Sequence, residues 1–137
     1  MTSPQPFKAA VLVNSPGSAP IDVAFQKAFR SYITTASPGA QVDFFDPIEA
    51  QIYPGPGVYD LIVLTGGGGE HDADAQDVSW VAKLREWVKR IGETAPRQKI
   101  VAVCWGHQVV QVVFGGTISA MSGGGSEVRC RFLLRHA

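Results

Sequence analysis

The sequence predicts an α/β domain in which a parallel sheet carries helices on both faces. Three observations predict it. Short apolar runs alternate along the chain with stretches of helical period. The connections between them are brief and marked by proline and glycine. Apolar residues make up 45% of 137 residues and charged residues 18%, a balance that fills one core in a chain too short for two ordinary domains.

Taken in order, KAAVLVN (8–14) reads as a short buried strand ended by a polar turn, and SPGSAP breaks it. From Ile21, apolar residues at Val23, Ala24, Phe25, Ala28, Phe29, Tyr32 and Ile33 recur at helical spacing. Pro38 and Gly39 end that helix, and QVDFFDP (41–47) is a second strand closed by its proline. EAQIYPGPGVYD (49–60) is too rich in proline and glycine to be regular. Residues 61–64, LIVL, form the continuous apolar run expected of a strand covered on both faces, and four glycines follow Thr65. Residues 72–92 are predicted helical, with Val81, Leu84, Trp87, Val88 and Ile91 on one face. Asp72, Asp74 and Asp77 at its start and Lys89 and Arg90 at its end are expected to complement the macrodipole, with Gly92 as the stop. QKIVAVC (98–104) is the fourth strand and HQVVQVVFGG (107–116) the next helix, closed by Gly115 and Gly116. The last segment, SAMSGGGSEVRCRFLLRHA (119–137), resolves into at most one short strand before a basic end with Arg129, Arg131 and Arg135.

Several function classes are disfavoured by composition. Twelve acidic and twelve basic residues cancel, so no global field points to nucleic acid or an anionic membrane. No apolar run is long enough to span a bilayer. The N-terminal segment has no basic stretch leading into a signal core, so a cytoplasmic location is expected. Cys104 and Cys130 form no disulfide framework, and neither sits in a zinc-ligand spacing, so neither metal nor cofactor is expected.

In such sheets ligands collect at the carboxyl ends of the strands, where the two unusual turns, TGGGG and CWGHQ, fall. A strand that breaks sharply into a helix exposes its turn residue and aims the first helical N–H groups at whatever that residue attacks. Ala102-Val103-Cys104-Trp105-Gly106 has this small-x-Cys-x-Gly form, with Cys104 as nucleophile and the Trp105 N–H as first oxyanion donor. The glycine run supplies a second donor, from Gly67 or Gly68, because glycine turns its N–H toward a pocket with no side chain in the way. Together these residues describe acyl transfer through a thioester. Plainer readings stand beside this one. A lone cysteine ending a strand is commonly a small core residue, and a glycine run is commonly a loop or a phosphate turn. TGGGGE has neither the Lys-Ser/Thr nor the G-x-G-x-x-G of the phosphate patterns. His107, three residues past Cys104, reads as a capping or packing histidine rather than a general base.

The run AVCWGHQ resembles the nucleophile motif of class I glutamine amidotransferases. YDLIVLTGGGGEHDADAQDVSWVAKLREWVKRI resembles their oxyanion strand, loop and following helix, including Trp80, and FGGTI and SEVR are similar to the pieces that follow in GMP-synthase-like members. The similarity runs from about Lys8 to Val128, which implies a flavodoxin-like amidotransferase domain over 1–128 and a divergent basic tail over 129–137. By that resemblance Cys104 attacks the side-chain amide of glutamine, Gly106 and Gln108 help seat the substrate, and His107 is structural. A separate ammonia-accepting enzyme is the implied partner, as in amide-forming steps of specialised metabolism. The family's general base is a histidine in a His-x-Glu motif further downstream; His71, His107 and His136 are the histidines here, and none has glutamate two residues on. The resemblance therefore implies a fold incomplete at its C-terminus with an exposed sheet edge, and weak or absent glutaminase activity. The alternative is a catalytically dead remnant acting as a binding or interaction module. A cysteine-elbow hydrolase that does not use glutamine fits Gly-His-Gln poorly.

Overall fold

The computed structural model describes residues 3–15, 19–120, 122 and 126–129. Four strands, β1 (Lys8–Leu12), β2 (Gln41–Phe45), β3 (Leu61–Leu64) and β4 (Lys99–Ala102), form one sheet in the order β2-β1-β3-β4. Every pairing is parallel, with Ala9 opposite both Val42 and Leu61, and Leu61 opposite Lys99. Parallel neighbours need crossovers, and the helices α1 (Ala19–Ala36) and α2 (Ser79–Thr94) supply them.

Alternation along β1 divides the core in two. Ala9 and Val11 join Val42, Val63 and the α1 residue Ile33 on one face. Ala10 and Leu12 join Ile62, Leu64 and the buried stripe of α2 on the other, with Trp105 and Val109 of α3 (Trp105–Val113). Helices thus cover both faces, and the α/β class read from the sequence is the class of the structure. The coverage stops short of β4, which lies at the edge of this sheet among the described residues. Ile100 and Ala102 pack toward α2 and α3, whereas Val101 and Val103 are 50% and 43% exposed.

Four sequence expectations need correction. α1 begins at Ala19, and Val23 and Tyr32 are not on its buried side but exposed; seven apolar positions are more than one stripe accommodates. α2 begins at Ser79 rather than at residue 72. The preceding segment is a string of turns, with the Ala75 N–H donating to the Asp72 carbonyl at 3.0 Å and Ala73 wholly buried. Asp72, Asp74 and Asp77 therefore lie outside the first helical turn, Lys89 and Arg90 precede the last, and the N-cap residue, Val78, supplies no side-chain hydrogen bond. Burial of Trp80, Val81, Leu84, Trp87, Val88 and Ile91 holds this helix, not its end charges. It also passes through Gly92 and closes where the Ala95 N–H donates to Ile91 at 2.9 Å. Finally, the glycine-rich end forms two strands rather than at most one: β5 (Thr117–Ala120) and β6 (Ser126–Arg129) pair antiparallel as a separate two-stranded sheet, Thr117 opposite Arg129. Cys130, Arg131, Arg135 and His136 of the basic tail lie outside the described residues.

The glycine stop after α3 is as expected. Gly115, at φ 88°, donates to Val112 at 3.3 Å, and Gly116 donates to Gln111 at 2.6 Å. These are the paired bonds of a Schellman closure, in which glycine takes the left-handed position. In the loop after β2, the Asp46 carboxylate accepts the N–H groups of Ile48, Glu49 and Ala50. Partial burial pushes that carboxyl's pKa up, but the three N–H groups outweigh it and hold the pKa below its ordinary value. No helix among the described residues is long and apolar enough to cross a membrane.

Candidate active site

Beyond β4 the ladder continues for one bond, from the Val103 N–H to the Leu64 carbonyl at 2.9 Å. The chain then turns at Cys104, whose φ of 51° and ψ of −114° lie where side-chain-bearing residues are strained. α3 starts at Trp105, with the Gly106 N–H on Val103 at 2.9 Å and the Gln108 N–H on Cys104 at 3.1 Å. The Trp105 N–H, at the first helical position, has no intramolecular partner among the described residues. The thiol is exposed. An exposed cysteine held in a strained strand-to-helix turn beside a free helical N–H is the geometry of a nucleophile elbow.

Gly106 is the residue that lets α3 come this close. A Cβ there would lie 2.7 Å from the Leu64 carbonyl oxygen and 2.9 Å from that of Thr65, so the elbow packs directly on the end of β3.

The glycine loop follows that end. Gly66, which the sequence did not single out, lies against the thiol: a Cβ built on it would stand 3.2 Å from the Cys104 Cβ and 3.8 Å from Sγ. Gly67 is exposed, with φ 126°, and its N–H has no partner among the described residues. Gly68 is buried, and its N–H donates to the Asn14 carbonyl at 2.7 Å. That amide is committed to the end of β1, so of the two glycines named as oxyanion donors Gly67 is the one with a free N–H. Gly68 instead lies against the Trp105 indole, which donates from Nε1 to the His71 carbonyl at 2.9 Å and packs on Trp80 with ring centroids 5.3 Å apart.

Asn14 and Thr65, also missed, are fully buried beneath the loop. The Asn14 N–H donates to Thr65 Oγ1 at 2.9 Å, the Asn14 amide to the Thr65 carbonyl at 3.0 Å, and the Thr65 hydroxyl to the Gly66 carbonyl at 3.0 Å. Asn14 Oδ1 is buried with no partner among the described residues. The only sequence signal for this pair was a polar residue ending each of two adjacent apolar strands.

Gln108 is half-buried on the first turn of α3. His107 sits beside it, its Nε2 3.3 Å from the Gln111 side chain one turn further on. No hydrogen bond joins Cys104 to an imidazole among the described residues, and no three His, Cys, Asp or Glu residues there form a metal-binding group.

The backbone strain gives a direct test. Cys104→Gly is expected to be more stable than Cys104→Ala by about 1 kcal/mol, since glycine relieves a conformation costing about 1–3 kcal/mol and alanine does not. Urea midpoints of the two variants measure it, and a more stable alanine variant would refute the strained geometry.

Comparison with known proteins gives the same direction. The chain is 38% identical over 128 residues to a glutamine amidotransferase-like protein of Penicillium rubens, covering 90% of this chain and 51% of that protein. A glutamine amidotransferase-like protein of Gibberella zeae is 30% identical over 122 residues, 86% of this chain and 48% of that one. Gamma-glutamyl peptidase 3 of Arabidopsis thaliana is 32% identical over 94 residues, 66% of this chain and 35% of that one. The chain spans about half the length of the first two relatives. No family model and no solved structure matches it. With the elbow, the glycine loop and the parallel sheet in place, these likenesses make the chain a member of the glutamine amidotransferase-like family.

Proposed function

We propose that Cys104 is the nucleophile for cleavage of a γ-glutamyl amide, that of glutamine first. The strained, exposed position of Cys104 at the elbow carries this reading. The Cys104 sulfur, as thiolate, attacks the amide carbon and the C–S bond forms. The Trp105 and Gly67 N–H groups stabilise the oxyanion that results. Collapse breaks the C–N bond, and the nitrogen takes a proton from solvent water and leaves as ammonia. A second water then adds to the thioester, breaking the C–S bond to give glutamate and return the thiolate. Gly106 and Gln108 form part of the glutamine seat, and the ammonia goes to a separate acceptor enzyme in the cytoplasm. The relatives named gamma-glutamyl peptidases support the γ-glutamyl group as the element recognised.

Acylation and turnover make different demands. The nucleophile and its donors suffice for a thioester with a reactive substrate, but leaving-group protonation needs a general acid and water activation a general base. No His-x-Glu occurs in the 137 residues. The chain incubated with a glutamine-derived chloromethyl ketone is therefore expected to gain one adduct on Cys104 by mass spectrometry, while ammonia release from glutamine stays orders of magnitude below ordinary enzyme rates of about 1–1000 per second. Ammonia release at ordinary rates, lost in Cys104→Ala, would overturn the need for the downstream base.

The exposed Val101 and Val103 on the edge strand support a second reading, a non-catalytic binding module. Neither adduct nor ammonia is its expected result.

A further inference from the structure

We propose that Thr65 is a positioning residue for the Cys104 site: its hydroxyl, anchored by Asn14, sets the plane of the Gly66–Gly67 peptide and so the direction of the Gly67 N–H. The inference rests on the reading of Cys104 as an acyl nucleophile.

Asn14 and Thr65 are polar and fully buried at the ends of two adjacent strands, where a polar side chain carries a cost of burial that an apolar one does not. A buried hydroxyl is unfavourable unless its hydrogen bonds are made, and here both of its capacities are used. The Asn14 N–H occupies a lone pair of Oγ1 at 2.9 Å, and the hydroxyl proton goes to the Gly66 carbonyl at 3.0 Å. The Asn14 amide on the Thr65 carbonyl, at 3.0 Å, holds the two strand ends together while this happens.

The Gly66 carbonyl and the Gly67 N–H belong to one planar trans peptide, so they point in opposite directions. Pinning the carbonyl toward the buried Thr65 hydroxyl turns the N–H away from it, out of the core. Without that pin, a peptide between two glycines rotates with little steric resistance. The far side of the loop is closed by the same residue, since the Gly68 N–H donates to the Asn14 carbonyl at 2.7 Å. Gly66 lies against the Cys104 Cβ, so the orientation of this one peptide is set beside the reacting sulfur. An oxyanion donor contributes only if it is oriented before charge develops, and Asn14 and Thr65 supply that orientation from the core.

The test compares two reactions of the same thiol in the full chain. In the first, a γ-glutamyl p-nitrophenyl ester acylates Cys104: the C–S bond forms through an oxyanion, the C–O bond breaks, and nitrophenolate leaves with the electron pair and needs no proton. In the second, iodoacetamide alkylates the sulfur by displacing iodide, with no oxyanion. Cys104→Ala supplies the background for both. Thr65→Val, equal in shape but without the hydroxyl, is expected to slow acylation by about 10- to 100-fold, below the full loss of a donor, with alkylation unchanged. Thr65→Ser, which keeps the hydroxyl, is expected to restore acylation. The alkylation rate also reports that the elbow is formed, and Thr65→Ala serves the same comparison if Thr65→Val fails to fold. Equal losses in the two reactions, or undiminished acylation in Thr65→Val, would overturn the inference and leave the nucleophile reading intact. Absence of Cys104-dependent acylation in the unsubstituted chain would overturn the nucleophile reading and this inference with it.

Discussion

Gly106→Ala is expected to lower the stability of the chain by about 3 kcal/mol, the upper end of the usual cost of overpacking. The obstacles explain the size. A Cβ at this position meets the Leu64 carbonyl oxygen at 2.7 Å, the Leu64 Cβ at 2.9 Å and the Thr65 carbonyl oxygen at 2.9 Å. Two of the three are main-chain atoms at the end of a central strand, held by the Val103 and Thr65 ladder bonds, so they yield little. Relief requires α3 to move away from β3, which also takes Trp105 and Val109 out of the core they help to close. In an open helix the same change stabilises by about 1 kcal/mol, so the sign alone is informative. A shift of the urea midpoint to lower concentration measures it, and a shift to higher concentration would mean that the helix stands further from the sheet than described.

Gly68→Ala is expected to cost about 2–3 kcal/mol, combining a left-handed backbone with an overpacked site. Gly68 has φ 74°, and its added methyl would fall inside the Trp105 indole. The ring must then swing out, giving up its bond to the His71 carbonyl and its packing on Trp80. Tryptophan emission reports the displacement, with a red shift expected under conditions where the circular dichroism is native. An unshifted emission maximum would place the indole elsewhere. Because the Gly68 N–H also ties the loop to Asn14, the substitution is expected to loosen the loop as well.

The strands and the elbow were legible because their signals are local. LIVL and IVAV are short apolar runs, and a cysteine followed by Trp-Gly at the end of such a run has the local pattern of a strand-to-helix turn. The start of α2 was not legible from the same kind of signal. Three aspartates before an apolar stripe imitate a helix N-terminus, but Ala73 is drawn into the core and the chain spends 72–78 in turns first. The apolar residues of α1 give its period and not its orientation: Val23 and Tyr32 share that period with Ile33 yet face outward. At the site, the sequence offered four equivalent glycines. Separating them took the third dimension: Gly66 beside the thiol, Gly67 with a free N–H, Gly68 bonded to Asn14 just past β1. Asn14 and Thr65 are 51 residues apart, and nothing in either neighbourhood announces the other.

The backbone at Cys104 has an evolutionary consequence. Selection for folding alone favours glycine there, one nucleotide away in the genetic code, because glycine adopts φ 51° and ψ −114° without strain. Drift in a copy whose thiol does no chemistry therefore runs downhill toward losing it. In orthologous sequences, cysteine retained at this position would record purifying selection for reactivity, and glycine would date its end.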